Sequence, residues 1–302
     1  MCRTTEIFLV FVFAATGVSY SMLFEEPIRI LSDIHLGHPA SLVGDPAELA
    51  PLFDGIPTVV FNGDTVEHRF RKDQEQAREL LEATKKICSE LGSTAIFVNG
   101  NHDPDISPYN HLDLAGGSVL VTHGDMLFHD ISPWSIEAEI MEAAHRQALE
   151  KIEDDAFDDF EKRLHANKCG SLAIELHEST IPRGRLARVV TYLRESWPPW
   201  RPLQIFRCWS QVPGRAVGLA RVFRPRARFI VLGHSHYGGI WTRGPRVIIN
   251  TGSFLPIAGR SLVDLEGDRL SIRKITRSGG KFQAGKTVAQ FKTSPLRAHE
   301  GF

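Results

Sequence analysis

The feature that most constrains this chain is a series of short apolar runs, each followed by carboxylate, amide or imidazole side chains. The runs are Pro27–Ser32, Pro57–Asn62, Thr94–Asn99, Ser118–Thr122, Arg228–Leu232 and Arg246–Asn250. Segments this short and this continuously apolar, bounded by turn residues, suit strands buried on both faces. Between the second and third run, from about Lys72 to Leu91, a stretch rich in Glu, Lys, Ala and Leu predicts a helix. Alternation of strand and helix indicates a layered α/β domain.

The residues just past these runs carry the chemistry. The first run leads to Asp33-Ile34-His35, the second to Gly63-Asp64 and the third to Asn101-His102-Asp103. The fourth leads to His123 and the fifth to His234-Ser235-His236. In open α/β sheets, ligands collect at the carboxyl ends of the strands. A donor set of carboxylate, imidazole and amide oxygen without thiolate suits Mn²⁺, Fe or Zn²⁺ better than Mg²⁺ or Ca²⁺, and Mn²⁺ is the first expectation. Asp33, His35 and His236 complete one site, and Asn101, His123 and His234 a second. Asp64, with two oxygens, bridges them. Ion pairs of this kind sit about 3.5–4 Å apart and hold a hydroxide that attacks phosphorus, while both ions stabilise the charge developing on the phosphoryl oxygens. The i, i+2 spacing of Asp-x-His and His-x-His places both side chains on one side of an extended strand end.

His102 directly succeeds Asn101, so it is expected to reach over the metals and protonate the leaving oxygen. Asp103, or another nearby carboxylate, is expected to orient it and raise its pKa. Glu67 and Asp125 read as hydrogen-bond acceptors behind the ligands. The spacings of His38, His68, His111 and His129 assign them no role. Taken singly, an Asp at a strand end is more often a turn former than a ligand; it is the ordered set of blocks that carries the assignment.

These blocks, SDIHLG, NGDTVE, NGNHD, THGD and GHSH, resemble the calcineurin-like metallophosphoesterase superfamily, whose pattern is D-x-H, G-D, G-N-H-D/E, H and G-H-x-H in this order. The resemblance covers roughly Pro27 to Ser132 and Arg228 to Phe254, and NTGS at Asn250 to Ser253 is similar to the family's ending. It implies a four-layer α/β fold, a β-sandwich flanked by helices, and the metal roles assigned above. The HGD block and a helical insertion before GHSH look like the UDP-2,3-diacylglucosamine pyrophosphohydrolase branch, which cuts a pyrophosphate in a lipid-linked sugar nucleotide. That branch carries Arg where this chain has His102.

Organisation outside the motifs is less uniform. Residues 133–225 contain no convincing strand and read as a helical insertion between core segments 22–132 and 226–277. The insertion is acidic from Ser135 to Asn167, then reverses sign: Arg183 to Arg228 holds eleven arginines and one acid, Glu195, interleaved with aromatic residues including Trp197, Trp200 and Trp209. Such a stretch reads either as an amphipathic lid meeting phosphate, acyl chains or a bilayer surface, or as a packed subdomain with a solvated Arg face. Nucleic acid is a weaker expectation, because the net charge of the chain is −1. SLVDLEGDRLSIRKI predicts a hairpin turning at Glu266 to Asp268, and residues 278–302 read as a loose polar tail.

At the N-terminus, Ile7 to Val18 is shorter than the ~20 residues of a membrane-spanning helix but fits a signal-peptide core. Residues 1–21 therefore read as a leader or as sequence upstream of a start at Met22. The first reading implies export; the second implies a cytoplasmic, membrane-peripheral protein. The scattered cysteines lean toward a reducing compartment.

The function expected from this reading is hydrolysis of a phosphate ester or pyrophosphate in a lipid-linked or nucleotide substrate. The alternatives are a broad phosphodiesterase or nuclease acting on soluble substrates, and a metal-free scaffold of the same fold.

Overall fold

Eleven strands are present among the described residues, which in this computed structural model are 24–135, 137–151, 160–174, 201–256 and 259–296. In chain order they are β1 (Ile28–Leu31), β2 (Thr58–Asn62), β3 (Thr94–Val98), β4 (His111–Leu114), β5 (Val119–Thr122), β6 (Phe229–Leu232), β7 (Gly239–Arg243), β8 (Arg246–Asn250), β9 (Ser261–Glu266), β10 (Arg269–Ser278) and β11 (Lys281–Lys292). They form two sheets, ordered β11-β10-β9-β1-β2-β3 and β4-β5-β6-β8-β7. The central trios β1-β2-β3 and β5-β6-β8 are parallel and the outer strands antiparallel. The apolar runs at 27–32, 57–62, 94–99, 118–122, 228–232 and 246–250 are the six parallel strands.

Side-chain alternation along these strands builds the layers. Ile28, Ile30 and Val60 of the first sheet meet Val119, Val121, Phe229, Val231, Val247 and Ile249 of the second in a core between the sheets. Leu31, Val59 and Phe61 point the other way, onto helices α1 (Ala50–Phe53) and α2 (Gln74–Glu90). Ala77, Leu81, Thr84 and Cys88 are the buried stripe of α2, at the spacing of one helix face. Cys88 is completely buried, and burial pushes its thiol pKa up to about 12. On the far side, Leu120, Ile230, Leu232 and Ile248 face a third core. The result is a mixed α/β fold of two sheets flanked by helices.

Among the described residues, three α-helices lie in sequence between β5 and β6: α3 (Ala138–Glu150), α4 (Phe160–Leu172) and α5 (Arg201–Phe223). Val212, Ala216 and Ala220 of α5 and Leu164 of α4 cover the third core. Among the described residues, no helix is long and apolar enough to cross a membrane. The apolar N-terminal run, Glu195, Trp197 and Trp200 lie outside the described residues.

The stretch expected to be a loose tail from residue 278 is corrected by the structure. Gly279 and Gly280, both with positive φ, make a two-residue hairpin turn from β10 into the long strand β11. Phe282 of β11 is fully buried against Phe53, Phe61 and Phe254 in the core that covers the first sheet. A Gly-Gly turn followed by one strongly anchoring aromatic outweighs the polarity of the exposed positions. The strands β4 and β7 were also not evident from sequence: both are short edge strands with half-polar composition.

Candidate metal centre

All the candidate ligands lie on loops leaving the carboxyl ends of parallel strands, where the two sheets meet. Asp33 and His35 follow β1, Asp64 follows β2, Asn101 follows β3, His123 follows β5, and His234 and His236 follow β6. The donor atoms of Asp33, His35, Asp64 and His236 lie within 4.8 Å of one another, and so do those of Asp64, His123 and His234. Asp64 belongs to both groups. Asn101 adds its Oδ1 to the second, 3.2 Å from His123 Nε2 and 2.8 Å from His234 Nδ1.

The hydrogen bonds behind these residues fix which atoms face the centre. A carbonyl only accepts, so His123 Nδ1–H donates to the Asn62 carbonyl (3.0 Å) and leaves its Nε2 lone pair facing inward. His234 Nε2–H donates to the Ile131 carbonyl (2.7 Å), which turns its Nδ1 lone pair inward. The amide nitrogen of Asn101 donates to Ser132 Oγ (3.3 Å), so its oxygen faces the same point. Asp64 Oδ2 is buried, lies 3.3 Å from His123 Nε2 and 3.7 Å from His35 Nε2, and has no hydrogen bond of normal geometry. His35 Nε2 and His236 Nε2 are 3.0 Å apart. Imidazole nitrogens, an amide oxygen and carboxylate oxygens thus converge on one space, and two of the histidines are anchored by backbone carbonyls as metal-binding histidines are. The donor set fits divalent metal ions.

The electrostatics agree. Burial, reinforced by His102, holds the His35 pKa well below its ordinary value, and burial with His123 does the same for His234, so both are neutral as ligands must be. Burial also opposes a charge on His123, but the adjacent Asp64 carboxylate raises its pKa above the usual value. Burial would raise the pKa of Asp64, yet His123 and its neighbours hold it well below the carboxylate range. The Asp64 carboxylate thus favours positive charge beside it.

The i, i+2 spacing works differently from the extended-strand expectation. Asp33, His35, Asp64, His234 and His236 all have left-handed backbones, with φ between 52° and 65°. For residues with a Cβ this conformation costs on the order of 1–2 kcal/mol each. Backbone hydrogen bonds hold the turns: Asp33 N–H donates to Gly63 O (3.1 Å), His35 N–H to Asp64 O (2.9 Å), and His234 N–H to the Asp33 carboxylate (3.0 Å). Ile131, which presents its carbonyl to His234, is also left-handed at φ 57°. Its β-branched side chain gave no sequence signal for this role. Glycine is required at Gly63, where φ is 81° and a Cβ would lie 2.3 Å from His123 Nδ1.

His102 belongs to neither of the two groups that share Asp64, but joins His35 and Glu67 in a third compact group of donor atoms. Its Nδ1 is 2.9 Å from Glu67 Oε2, and its Nε2 is 3.9 Å from Asp64 Oδ2. Glu67 is buried and accepts a second hydrogen bond from Arg69 Nε (2.9 Å). Although burial opposes its charge, Arg69 and His102 hold its pKa well below the ordinary value. An ionised carboxylate thus fixes the proton on His102 Nδ1.

The expectation that Asp103 orients His102 is corrected. Its carboxylate is completely buried and accepts backbone N–H groups from Asp64 (2.9 Å), Thr65 (2.6 Å), Val66 (3.2 Å) and Gly100 (3.0 Å). It ties the GD loop to the GNHD loop, and its oxygens are fully used there. Asp103→Ala leaves four buried donors without a partner and is expected to destabilise the protein by at least about 3 kcal/mol. That corresponds to a fall in melting temperature of roughly 6 °C or more. An unchanged melting curve with lost activity would return Asp103 to the proton-transfer role. Asp125 is buried behind His123, accepts from Asn167, and burial pushes its pKa up to about 6. His38 accepts the Ala40 N–H at Nδ1 (3.1 Å), His111 bridges Glu161 and Asp113, and His129 presents its carbonyl to His145.

Two sheets sandwiched between helices, with clustered carboxylates and imidazoles at the strand ends, define a metal-binding α/β sandwich. The sequence profile of the calcineurin-like phosphoesterase family matches residues 26–238, and the chain belongs to that family. No curated protein matches the chain. Solved structures to which it is similar include Vacuolar Protein Sorting 29 from Cryptosporidium parvum, at 15% identity over 89% of this chain and 100% of that one, with a TM-score of 0.40. A dimetal phosphatase from Danio rerio is similar at 12% identity over 89% and 100%, with a TM-score of 0.42. A conserved uncharacterized protein and predicted phosphoesterase from Streptococcus pneumoniae is similar at 16% over 86% and 97%, with a TM-score of 0.33.

Proposed function

We propose that this protein is a dinuclear metal-dependent hydrolase of phosphate esters or pyrophosphates, acting on a nucleotide or lipid-linked substrate. The observation that carries the reading is the sharing of Asp64 between two groups of donor atoms at the strand ends, with its buried Oδ2 left without a hydrogen bond. Asp33, His35 and His236 would hold one ion, Asn101, His123 and His234 the other, and Asp64 would touch both. Ions bound there supply Lewis acidity and an activated water.

The protein's own groups do the rest. The Asn62 and Ile131 carbonyls keep two imidazoles in their ligating tautomers. His102, its Nδ1–H held by Glu67, presents Nε2 toward the centre, where a proton on that atom passes to the departing oxygen. Glu67 holds the ring in this orientation through the Nδ1 hydrogen bond.

Metal analysis of the purified protein, combined with hydrolysis of bis(p-nitrophenyl) phosphate before and after chelation, tests the reading. Two ions per chain are expected, with turnover that disappears on chelation and returns with Mn²⁺. A protein that binds no divalent ion and shows no turnover is a scaffold of the same fold instead.

A further inference from the structure

Tyr237 directly succeeds the proposed ligand His236, and its side chain remains 45% exposed. The ring is nevertheless held firmly. Trp209, half-buried on α5, lies flat against it with ring centroids 4.9 Å apart and planes 10° apart. Trp241 of β7 tilts toward it at 6.1 Å and 33°. Helix α5 in turn packs on β7 and β8, so the stack is anchored to the second sheet. On the other flank of the centre, Trp134 stands 5.0 Å from the His234 ring.

An aromatic ring braced by neighbouring rings yet left nearly half exposed to solvent has not been placed for core packing. Its orientation is already fixed, so a second planar ring stacking on it loses little conformational freedom, and offset stacking adds to the apolar contact. Nearly parallel flat rings suit a planar group better than a flexible chain.

The geometry points to Tyr237, backed by Trp209, as a specificity-determining platform that stacks a planar aromatic group, a nucleobase, carried by the phosphate-bearing substrate. This inference rests on the phosphoesterase reading for the placement of the phosphate at the donors of the adjacent loop, and it selects the nucleotide among the substrate classes proposed. Tyr237 contributes binding, and the base it stacks is remote from the reacting atoms.

The test compares adenosine 5′-monophosphate with ribose 5-phosphate, which share sugar and phosphate and differ in the base. Binding of each to the Mn²⁺-loaded full-length protein is measured by calorimetry for the wild type, Tyr237→Ala, Tyr237→Phe and Trp209→Ala, with metal content determined for each. The wild type is expected to prefer the nucleotide by about tenfold or more. Tyr237→Phe keeps the preference, and Tyr237→Ala and Trp209→Ala lose most of it while retaining their metal. Equal binding of the two compounds by the wild type overturns the platform. So does a preference that survives in Tyr237→Ala, and one that survives in Trp209→Ala removes the backing role. Hydrolysis of bis(p-nitrophenyl) phosphate by the wild type is measured alongside. A base preference without turnover overturns the hydrolase reading alone, and turnover without a base preference overturns the platform alone.

Discussion

Asp64→Asn is expected to strip both metal positions at once. The carboxylate is the one donor common to the two groups, and its Oδ2 faces His123, His35 and His102 together. An amide of the same shape keeps one oxygen but removes the negative charge that draws positive charge to this spot. Losing the Lewis acidity of two ions, worth several kcal/mol in the transition state, lowers turnover by roughly 10³-fold or more. Metal analysis reads the cause directly: both ions fall together, whereas substitution of His236 or His234 thins one position first. Full retention of both ions in Asp64→Asn would remove the bridging assignment. Loss of one ion only would place Asp64 in a single site.

His102→Ala is the second large effect, and it has a different signature. The side chain belongs to neither of the two donor groups that share Asp64, so the variant is expected to keep both metals. Its turnover should fall by roughly 10²–10⁴-fold on esters with poor leaving groups, the range of a lost general acid. Aryl esters with acidic phenols leave without a proton and should be affected far less. Equal losses on alkyl and aryl esters would show that His102 positions substrate or water. His35, Glu67 and His102 also form a compact group of donor atoms of their own. A drop in metal content in His102→Ala would therefore reassign the residue to ligation. Glu67→Gln should reproduce a part of the His102 effect with the same leaving-group dependence, since it only loosens the imidazole.

The sequence made the parallel strands and the clustering of the donor blocks legible, because both depend on local chemistry. Continuous apolar runs have no other stable placement than between layers, and donors that leave parallel strands at one end are brought together by the sheets themselves. What sequence could not resolve was geometry that depends on distant partners. Asp103 stands beside His102 in the chain, and adjacency implied a partnership. In the folded protein the carboxylate turns toward the backbone of the Asp64 loop, and Glu67, from a different loop, takes its place. The carbonyls of Asn62 and Ile131 that set the histidine tautomers carry no side-chain signal at all. The strand β11 failed for another reason. Its exposed face is as polar as a tail, and only Gly279-Gly280 with the deeply buried Phe282 distinguishes it. Read as a two-residue hairpin turn, that pair would have predicted the strand.

The left-handed backbones of Asp33, His35, Asp64, His234 and His236 bear on how this chain can change over time. Each position carries a side chain where glycine or asparagine would sit more comfortably. Under the proposed function, activity and backbone stability therefore pull in opposite directions at the same five residues. In a descendant relieved of selection for activity, glycine or asparagine would ease the backbone at the three histidine positions, whereas glycine at Asp33 or Asp64 would also leave the His234 or His102 N–H without its acceptor. Loss of the histidines ahead of the two aspartates, with both sheets retained, is then the order of change this backbone geometry favours.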